Sequence, residues 1–400
     1  VTPDFTGGSA SCPGIAQSFT ITVNPVPSVN DLLDQTVCNG SSFEALLFTG
    51  TGTSYSWTNS LPSIGLSASG TDNISAFTGT NATVSPQSGT LTVTPQYTNA
   101  GFTCSGSVQT VALTVNPTPS VTDPQDFVLC NGSSSAAVIF SGTGTSYSWT
   151  NSNPLIGLAS TGTGNIASFT AVNTSNVPVT ATITVVPSYS FNGISCDGPS
   201  QVFTITVNPT PSVSDPSDQV LCNGSSTQAV LFNGTGTGYV WTNTTLGIGL
   251  AASGTGNIAS FTANNSGSAP ITGTITVTPQ YTNAGLTCDG TQQQFQITVN
   301  PTPIVNDPPD LTFCNSIQAG PIPFSGTGNS YTWTNSLTSI GLAASGAGDI
   351  PLFTTFNNST SLQSIATITV TSFFEQSGVT CQGSTEVFTI TERFRPYLCR

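Results

Sequence analysis

Positive charge is almost missing from this 400-residue chain: Lys and Arg total three, and His and Met are absent. The three cations, Arg393, Arg395 and Arg400, fall at the very end, so residues 1–392 carry no Lys, Arg or His. Charged residues of both signs make up 5% of the sequence, where ordinary soluble domains have roughly 25%. Each absence excludes something. A nucleic-acid partner needs cationic groups to displace counterions from phosphate, and the formal net charge here is -14, so that partner is excluded. Attraction to an anionic membrane surface fails for the same reason. No run approaches the roughly 20 apolar residues of a membrane span, so no membrane insertion is expected.

Catalysis is narrowed as severely. Without imidazole or lysine amine, the usual general bases, Schiff-base nucleophiles and phosphate clamps are missing. Chemistry would rest on 17 carboxylates, hydroxyls and thiols, and the chain is not expected to be an enzyme. Lysine-based isopeptide crosslinks cannot form either. Lys and Arg are also trypsin's targets, so residues 1–392 are expected to resist that protease even unfolded.

What is present is repetition. Trp57, Trp149, Trp241 and Trp333 each sit in a Tyr-x-Trp-Thr-Asn string, at a spacing of 92 residues. The strings Asn24-Pro25-Val26-Pro27, Asn116-Pro117-Thr118-Pro119, Asn208-Pro209-Thr210-Pro211 and Asn300-Pro301-Thr302-Pro303 mark the boundaries. Two prolines in four residues cannot continue a sheet and favour a short, semi-rigid connector. The reading is a partial repeat over 1–27 holding only last strands, full repeats over 28–119, 120–211, 212–303 and 304–392, and an irregular tail over 393–400. Val1-Thr2-Pro3 aligns with Val93-Thr94-Pro95, so the sequence opens inside a repeat and is expected to be a piece of something longer. An array of near-identical modules sums contacts along a line, whereas an enzyme concentrates unlike residues in one cleft.

Within a repeat the period is two. Ala181, Ile183 and Val185 alternate with Thr180, Thr182 and Thr184, and Phe203, Ile205 and Val207 alternate with Val202, Thr204 and Thr206. This marks strands with one buried face. About seven strands are predicted per repeat, in the second near residues 127–130, 136–141, 146–151, 156–160, 166–172, 179–186 and 201–207, bounded by Asn-Gly, Gly-Thr-Gly and Ser-Gly clusters. The fold class is all-β, a tandem array of immunoglobulin-like β-sandwiches. Tyr55 and Trp57, with their equivalents Tyr147 and Trp149, Tyr239 and Trp241, and Tyr331 and Trp333, share one strand face. Such aromatics can stack sugars, but a tryptophan in the third strand of a sandwich is the usual core plug.

Three segments resemble a known family: Asp-Gln-Val-Leu-Cys-Asn-Gly-Ser-Ser over 218–226, Gly-Tyr-Val-Trp-Thr-Asn over 238–243 and Phe-Gln-Ile-Thr-Val-Asn-Pro-Thr-Pro over 295–303. They look like the PKD-like immunoglobulin-type repeats of large secreted surface proteins of gliding and environmental Bacteroidota. The resemblance covers residues 1 to about 391. It implies β-sandwich units in long extracellular adhesins or filaments, secreted or held at the cell surface.

Nine of the ten cysteines lie on a grid. Cys38, Cys130, Cys222 and Cys314 follow the first strand, Cys12, Cys104, Cys196, Cys288 and Cys381 precede the last, and Cys399 stands outside. With no His and no Cys-x-x-Cys, disulfides in an oxidising compartment are the better reading than zinc. Pairing Cys38 with Cys104 inside one repeat is the simple proposal. In an immunoglobulin-type sandwich those positions occupy opposite poles, about 25 Å apart at roughly 3.3 Å per strand residue, while bridged Cα atoms lie within about 7 Å. The other pairing links neighbouring repeats: Cys38 to Cys196, Cys130 to Cys288, Cys222 to Cys381, with Cys314 reaching Cys399. The second is favoured, and spacing alone leaves both open.

Each repeat also carries an aspartate pair after its connector: Asp31 and Asp34, Asp123 and Asp126, Asp215 and Asp218, Asp307 and Asp310. Carboxylates at a junction suggest calcium, the one cofactor these residues point to, although two fall short of the six to eight oxygens Ca²⁺ takes. The plainer reading is an acidic turn before proline. Asn-x-Ser/Thr triplets such as Asn39-Gly40-Ser41 and Asn131-Gly132-Ser133 leave glycosylation open. Edge strands lack the lysines that normally guard them, so residues 1–27 are expected to complete a sandwich with strands from outside the segment. The favoured function is a non-enzymatic stalk or filament whose partners are neighbouring repeats of the same fibre. The alternative is a glycan-binding array using the long loop at 97–106 and its equivalents.

Overall fold

The structure is a computed structural model that describes residues 1–358 and 362–393. Among these the chain is all-β, apart from four single-turn 3-10 segments such as Leu246–Ile248. It divides into two compact units, one of Val1–Phe127, Ser133–Val172 and Thr180–Thr206, the other of Val128–Gly132, Asn173–Val179 and Val207–Arg400. The cut falls inside the second repeat, so the first repeat belongs to one unit and the third and fourth to the other.

The third repeat illustrates the plan. A cysteine strand (Gln219–Cys222), a tryptophan strand (Gly238–Asn243), a short strand (Ser253–Thr255), a long strand (Ile271–Asn283), a return strand (Leu286–Asp289) and a closing strand (Gln293–Asn300) follow in chain order. Across the sheet they run cysteine, closing, long, tryptophan, short, and the return strand pairs with the far end of the long one. Neighbours are antiparallel, except that the cysteine strand runs parallel to the closing strand with Cys222 opposite Asn300. The facing layer is thin. It consists of the bridges Val213 to Gly234, Ser226 to Thr262 and Val230 to Ile258.

Alternation builds the core. Ile275 and Val277 on the long strand and Phe295, Ile297 and Val299 on the closing strand are at most 2% exposed, packed with Phe232, Trp241, Ile248 and Leu250. The intervening Thr and Gln face out. Burying large apolar side chains at about 25 cal/mol per Å² of surface holds the two layers together, and the result is an immunoglobulin-like sandwich.

Three of the predicted strands differ from what is observed. The strand expected near 156–160 is instead the 3-10 turn Pro154–Ile156, closed by Gly157 at φ 92, with a short strand only at Thr161–Thr163. A side chain wins over strand propensity here: Asn151 Nδ2 donates to Leu158 O at 2.9 Å while its Oδ1 accepts from Asn153 N at 2.9 Å, curling the backbone. The strands expected over 136–141 and 166–172 reduce to the bridges Ser134 to Thr170 and Val138 to Ile166. The long strand, by contrast, runs on to Phe191 and returns as Ile194–Asp197, a hairpin that outreaches the core.

All four tryptophans are core residues, between 3% and 8% exposed. Each lies opposite a glycine on the short strand: Trp57 faces Gly70, Trp149 faces Gly162, Trp241 faces Gly254 and Trp333 faces Gly346. A Cβ at those glycines would fall 2.1 to 2.3 Å from the indole ring. The ring is roofed by the short strand, which removes it as a stacking platform for sugars. Gly254→Ala is expected to destabilise the third repeat by about 1–3 kcal/mol through overpacking, measured as a lowered urea midpoint; an unchanged midpoint would contradict this packing.

Candidate functional site: the joint between repeats

The residues that recur on the 92-residue grid converge at one pole of each sandwich. In the first repeat the cysteine strand Gln35–Cys38 ends beside the closing strand, Cys38 opposite Asn116. Asn39 N donates to Asn116 O at 2.9 Å. Asn39 Nδ2 donates to Thr118 Oγ1 at 3.0 Å, and its Oδ1 accepts from Asn81 N at 2.8 Å. Asn131 and Asn223 repeat the pattern on Thr210 and Thr302, and on Asn173 and Asn265. In the Asn-Gly-Ser triplets the asparagine amides are engaged in tying the cysteine strand to the connector.

The hairpin of the following repeat is fixed to this pole. Its tip turns through Asn192 at φ 49 and Gly193 at φ 76, the paired left-handed residues of a type I′ turn, whose twist suits a two-residue hairpin. Asn116 Nδ2 donates to Phe191 O at 3.2 Å and Ile194 O at 3.1 Å. Asn192 Nδ2 donates to Thr36 Oγ1 at 3.4 Å. Cys196 is bonded to Cys38, their Cα atoms 5.5 Å apart. Beside the disulfide, a Cβ at Gly198 would lie 1.8 Å from Pro119 O. Only glycine lets the connector lie against the return strand.

The second unit repeats the arrangement. Cys130 is bonded to Cys288 and Cys222 to Cys381, with Cα separations of 5.6 and 5.5 Å. Asn283 Nδ2 donates to Asn208 Oδ1 at 2.9 Å, and a Cβ at Gly290 or Gly383 would lie the same 1.8 Å from Pro211 O or Pro303 O. Each of these three bonds leaves one repeat and lands in the next, 158 or 159 residues along the chain. Cys104 is not joined to Cys38; it is a free thiol, as is Cys12. Cys399, the partner expected for Cys314, lies outside the described residues. Crosslinks closing loops this long restrict the unfolded chain by on the order of 5 kcal/mol each in the entropic treatment.

The aspartate pairs are divided in role. Asp34 Oδ1 accepts from Ala112 N at 2.7 Å, Asp126 from Thr204 N at 2.6 Å, Asp218 from Gln296 N at 2.6 Å and Asp310 from Thr389 N at 2.7 Å. The second aspartate thus satisfies a backbone N–H on the closing strand, and the Thr389 bond holds the Asp310 carboxyl below its ordinary range. Asp31, Asp123, Asp215 and Asp307 are exposed. Among the described residues no three His, Cys, Asp or Glu side chains gather at one point. An apolar recess of about 450 Å³ beside Leu311, Phe313, Pro321 and Phe324 has Asp307 as its one ionisable lining residue, so it assembles no acid–base pair. The long hairpin suggested as a glycan loop is, in the second repeat, engaged with the first through Phe191, Ile194 and Cys196.

One residue at this pole departs from the grid. The register that sets Val37 against Val115 and Leu221 against Val299 sets Phe313 against Glu392, so a carboxyl occupies a valine's core position. Glu392 is fully buried. Oε1 accepts from Phe356 N at 3.1 Å and Oε2 has no partner. Burial raises its pKa to about 7, the Phe356 bond opposing. A carboxyl whose pKa is raised on folding stabilises most when protonated, below its ordinary pKa, and that contribution is lost as pH rises through about 7. The fourth repeat is expected to melt at falling temperature between pH 5 and pH 8, and Glu392→Val to raise and flatten that profile in calorimetry. A wild-type profile already flat over this range would contradict the burial.

No protein-family model matches the chain, and no curated protein matches it. Among solved structures it is similar to immunoglobulin domains 1–5 of Sidekick-1, with 14% identity, 92% of this chain and 80% of that chain covered, and a TM-score of 0.27. It is similar to the N-terminal eight Ig domains of Down Syndrome Cell Adhesion Molecule at 14% identity, 92% and 49% coverage and a TM-score of 0.36. Protocadherin Gamma B2 extracellular cadherin domains 3–6 give 12% identity, 93% and 100% coverage and a TM-score of 0.28. These neighbours are tandem extracellular Ig and cadherin domains, and superpositions this loose carry no argument about what the chain does. Among the described residues no helix is long and apolar enough to cross a membrane.

The joint has a direct readout. In the double variant Cys222→Ser, Cys381→Ser, amide hydrogen exchange is expected to accelerate over 219–224 and 376–383 while the Trp241 and Trp333 cores stay protected; equal protection in both forms would show that the crosslink does not secure the joint.

Proposed function

We propose that the chain is a non-enzymatic segment of an extracellular stalk or fibre, of the kind found in bacterial surface adhesins, and that its joints make it nearly inextensible. The observation that carries this reading is the overlap of the disulfides. Cys38 to Cys196 and Cys222 to Cys381 shunt the covalent path past most of the sequence. Force applied at the two ends travels from residue 1 to 38, crosses, runs from 196 to 222, crosses again and leaves from 381 to 400. An extended chain spans at most about 3.3–3.6 Å per residue, so this path reaches roughly one fifth of the full contour length. Even a repeat that unfolds under load releases little slack.

Three further features support it. The disulfide and the approach of a glycine to the connector's proline carbonyl recur at three boundaries, as expected when neighbouring repeats are the partners. Neutral amides in place of ion pairs make the contacts insensitive to ionic strength. Structural disulfides persist in oxidising surroundings outside the cytosol. The glycan-array reading loses its seat where the hairpin is built into a joint.

Single-molecule pulling tests the reading. The oxidised chain, held at its two ends, is expected to reach about one fifth of the contour length reached after reduction. Equal lengths in the two states would end the proposal of a disulfide-limited stalk.

A further inference from the structure

The fourth repeat departs from the others along one groove. Its chain leaves the facing layer after the bridge from Val305 to Gly326 and joins the main sheet at Leu311–Cys314, which opens a gap between that strand and residues 320–324. In the third repeat a glutamine spans the equivalent gap: Gln219 Oε1 accepts from Gln228 N at 2.9 Å, and its Nε2 donates to Gln228 O at 3.1 Å. Gln35 Oε1 accepts from Glu44 N at 2.9 Å in the first repeat. In the second, Phe127 takes the position, with its ring 6.3 Å from that of Phe203. One period after Gln219 stands Leu311, and one period after Gln228 stands Gly320. A leucine side chain can make neither bond.

Where the glutamine strut is lost lies the recess of about 450 Å³, within the roughly 300–1,000 Å³ of small-molecule sites. Leu311, Phe313, Ile322 and Phe324 line it. Phe324 is held between Tyr331 and Phe388, with ring centroids 6.0 and 6.3 Å away, so this wall is set before anything binds. Pro321 and Pro323 replace the Ala229 and Leu231 of the third repeat and have no N–H to donate. An added peptide strand would find no donor at either, which excludes a partner that pairs by its backbone. Polar groups are few. Asn306 Nδ2 donates to Ser325 Oγ at 3.1 Å, and the neighbouring Asp310 is taken up by Thr389 N. Asp307 is exposed and is the one ionisable residue of the lining, and residues 1–392 contain no cation to pair with it.

We propose that this recess binds a small amphipathic cation, a primary ammonium carried on a compact aromatic or aliphatic body. The body covers Leu311 and Phe324, and the ammonium pairs with the Asp307 carboxylate. Other ligand classes fit less well. A sugar bears hydroxyls around its ring, and burying them against this lining leaves most without a partner. An anion is repelled by a chain of net charge -14, and a neutral apolar molecule leaves the carboxylate unused. The site is particular to the fourth repeat, because Leu311, Pro321 and Pro323 have Gln219, Ala229 and Leu231 as counterparts in the third, Phe127, Ala137 and Ile139 in the second, and Gln35, Ala45 and Leu47 in the first. It is a property of one sandwich and holds whether or not the array bears tension.

Phenethylamine serves as the probe and phenethyl alcohol, of the same shape without the charge, as its control, each titrated against the full chain by ligand-observed NMR near neutral pH. The amine is expected to bind with a Kd on the order of 1 mM. Asp307→Asn is expected to weaken it about fivefold, the scale of an exposed ion pair, and high salt to weaken it likewise. The alcohol is expected to bind about fivefold more weakly than the amine and to be indifferent to Asp307→Asn. Asp215→Asn, the same position in the third repeat, is expected to change nothing, which separates this site from general attraction to an acidic chain. Leu311→Gln restores the strut and is expected to abolish binding of both probes; Asp307→Asn alters only an exposed group, so its result stands even if Leu311→Gln disturbs packing. Equal affinity for amine and alcohol, an equal loss in Asp215→Asn, full binding by a folded Leu311→Gln, or no saturable binding of the amine would each overturn the proposal.

Discussion

The close approach of the connector to the return strand of the next repeat is the constraint on which the rest depends. At Gly106, Gly198, Gly290 and Gly383 the space for a side chain is already filled by a proline carbonyl, so the hairpin lies flush against the pole of the preceding sandwich. Only then do its cysteine and the cysteine strand reach bonding distance, and only then do Asn116 and Asn283 find carbonyl partners across the boundary. The disulfide secures a joint that backbone contact has already shaped.

A chain with so few ions must build its polar interior from neutral groups, and asparagine does this. Asn173, 5% exposed, donates to Val177 O at 2.8 Å and Val207 O at 2.7 Å and accepts from Ser175 N at 2.8 Å. Asn81 and Asn265 do the same in their repeats. A buried amide with its partners in place avoids the desolvation cost of a buried charge. The match is not complete: among the described residues Asn116 Oδ1, Asn208 Nδ2 and both amide atoms of Asn300 are buried without a partner, as is Glu392 Oε2.

Much of this was legible in the sequence for physical reasons. Alternation of Ile and Val with Thr marks half-buried strands, and the length of a strand separates the poles, which set the cysteines of one repeat against those of the next. The rest was not legible because it depends on approach between backbones. Nothing in Asn39-Gly40-Ser41 distinguishes an acceptor for a sugar from a lock on Thr118, since both need the same amide. The role of Asp34 depends on which N–H comes to rest opposite it. Glu392 was obscured by the fourth repeat's register, in which the Cys222 to Cys381 separation is 159 where the others are 158, so a count along the chain sets it one place off the valine it replaces.

The missing lysines raise the question of how the sheets avoid pairing with one another. Lysine usually protects an edge by charge; here the edges are short. One edge of the third repeat's sheet is Ser253–Thr255, three residues with a glycine in the centre, and the other is Gln219–Cys222, four residues whose last is bonded into the next repeat. An edge that ends in a covalent joint cannot extend a neighbour's sheet indefinitely. Joint formation and edge protection are thus one device: the strand that most needs cover is the strand each repeat uses to hold the next.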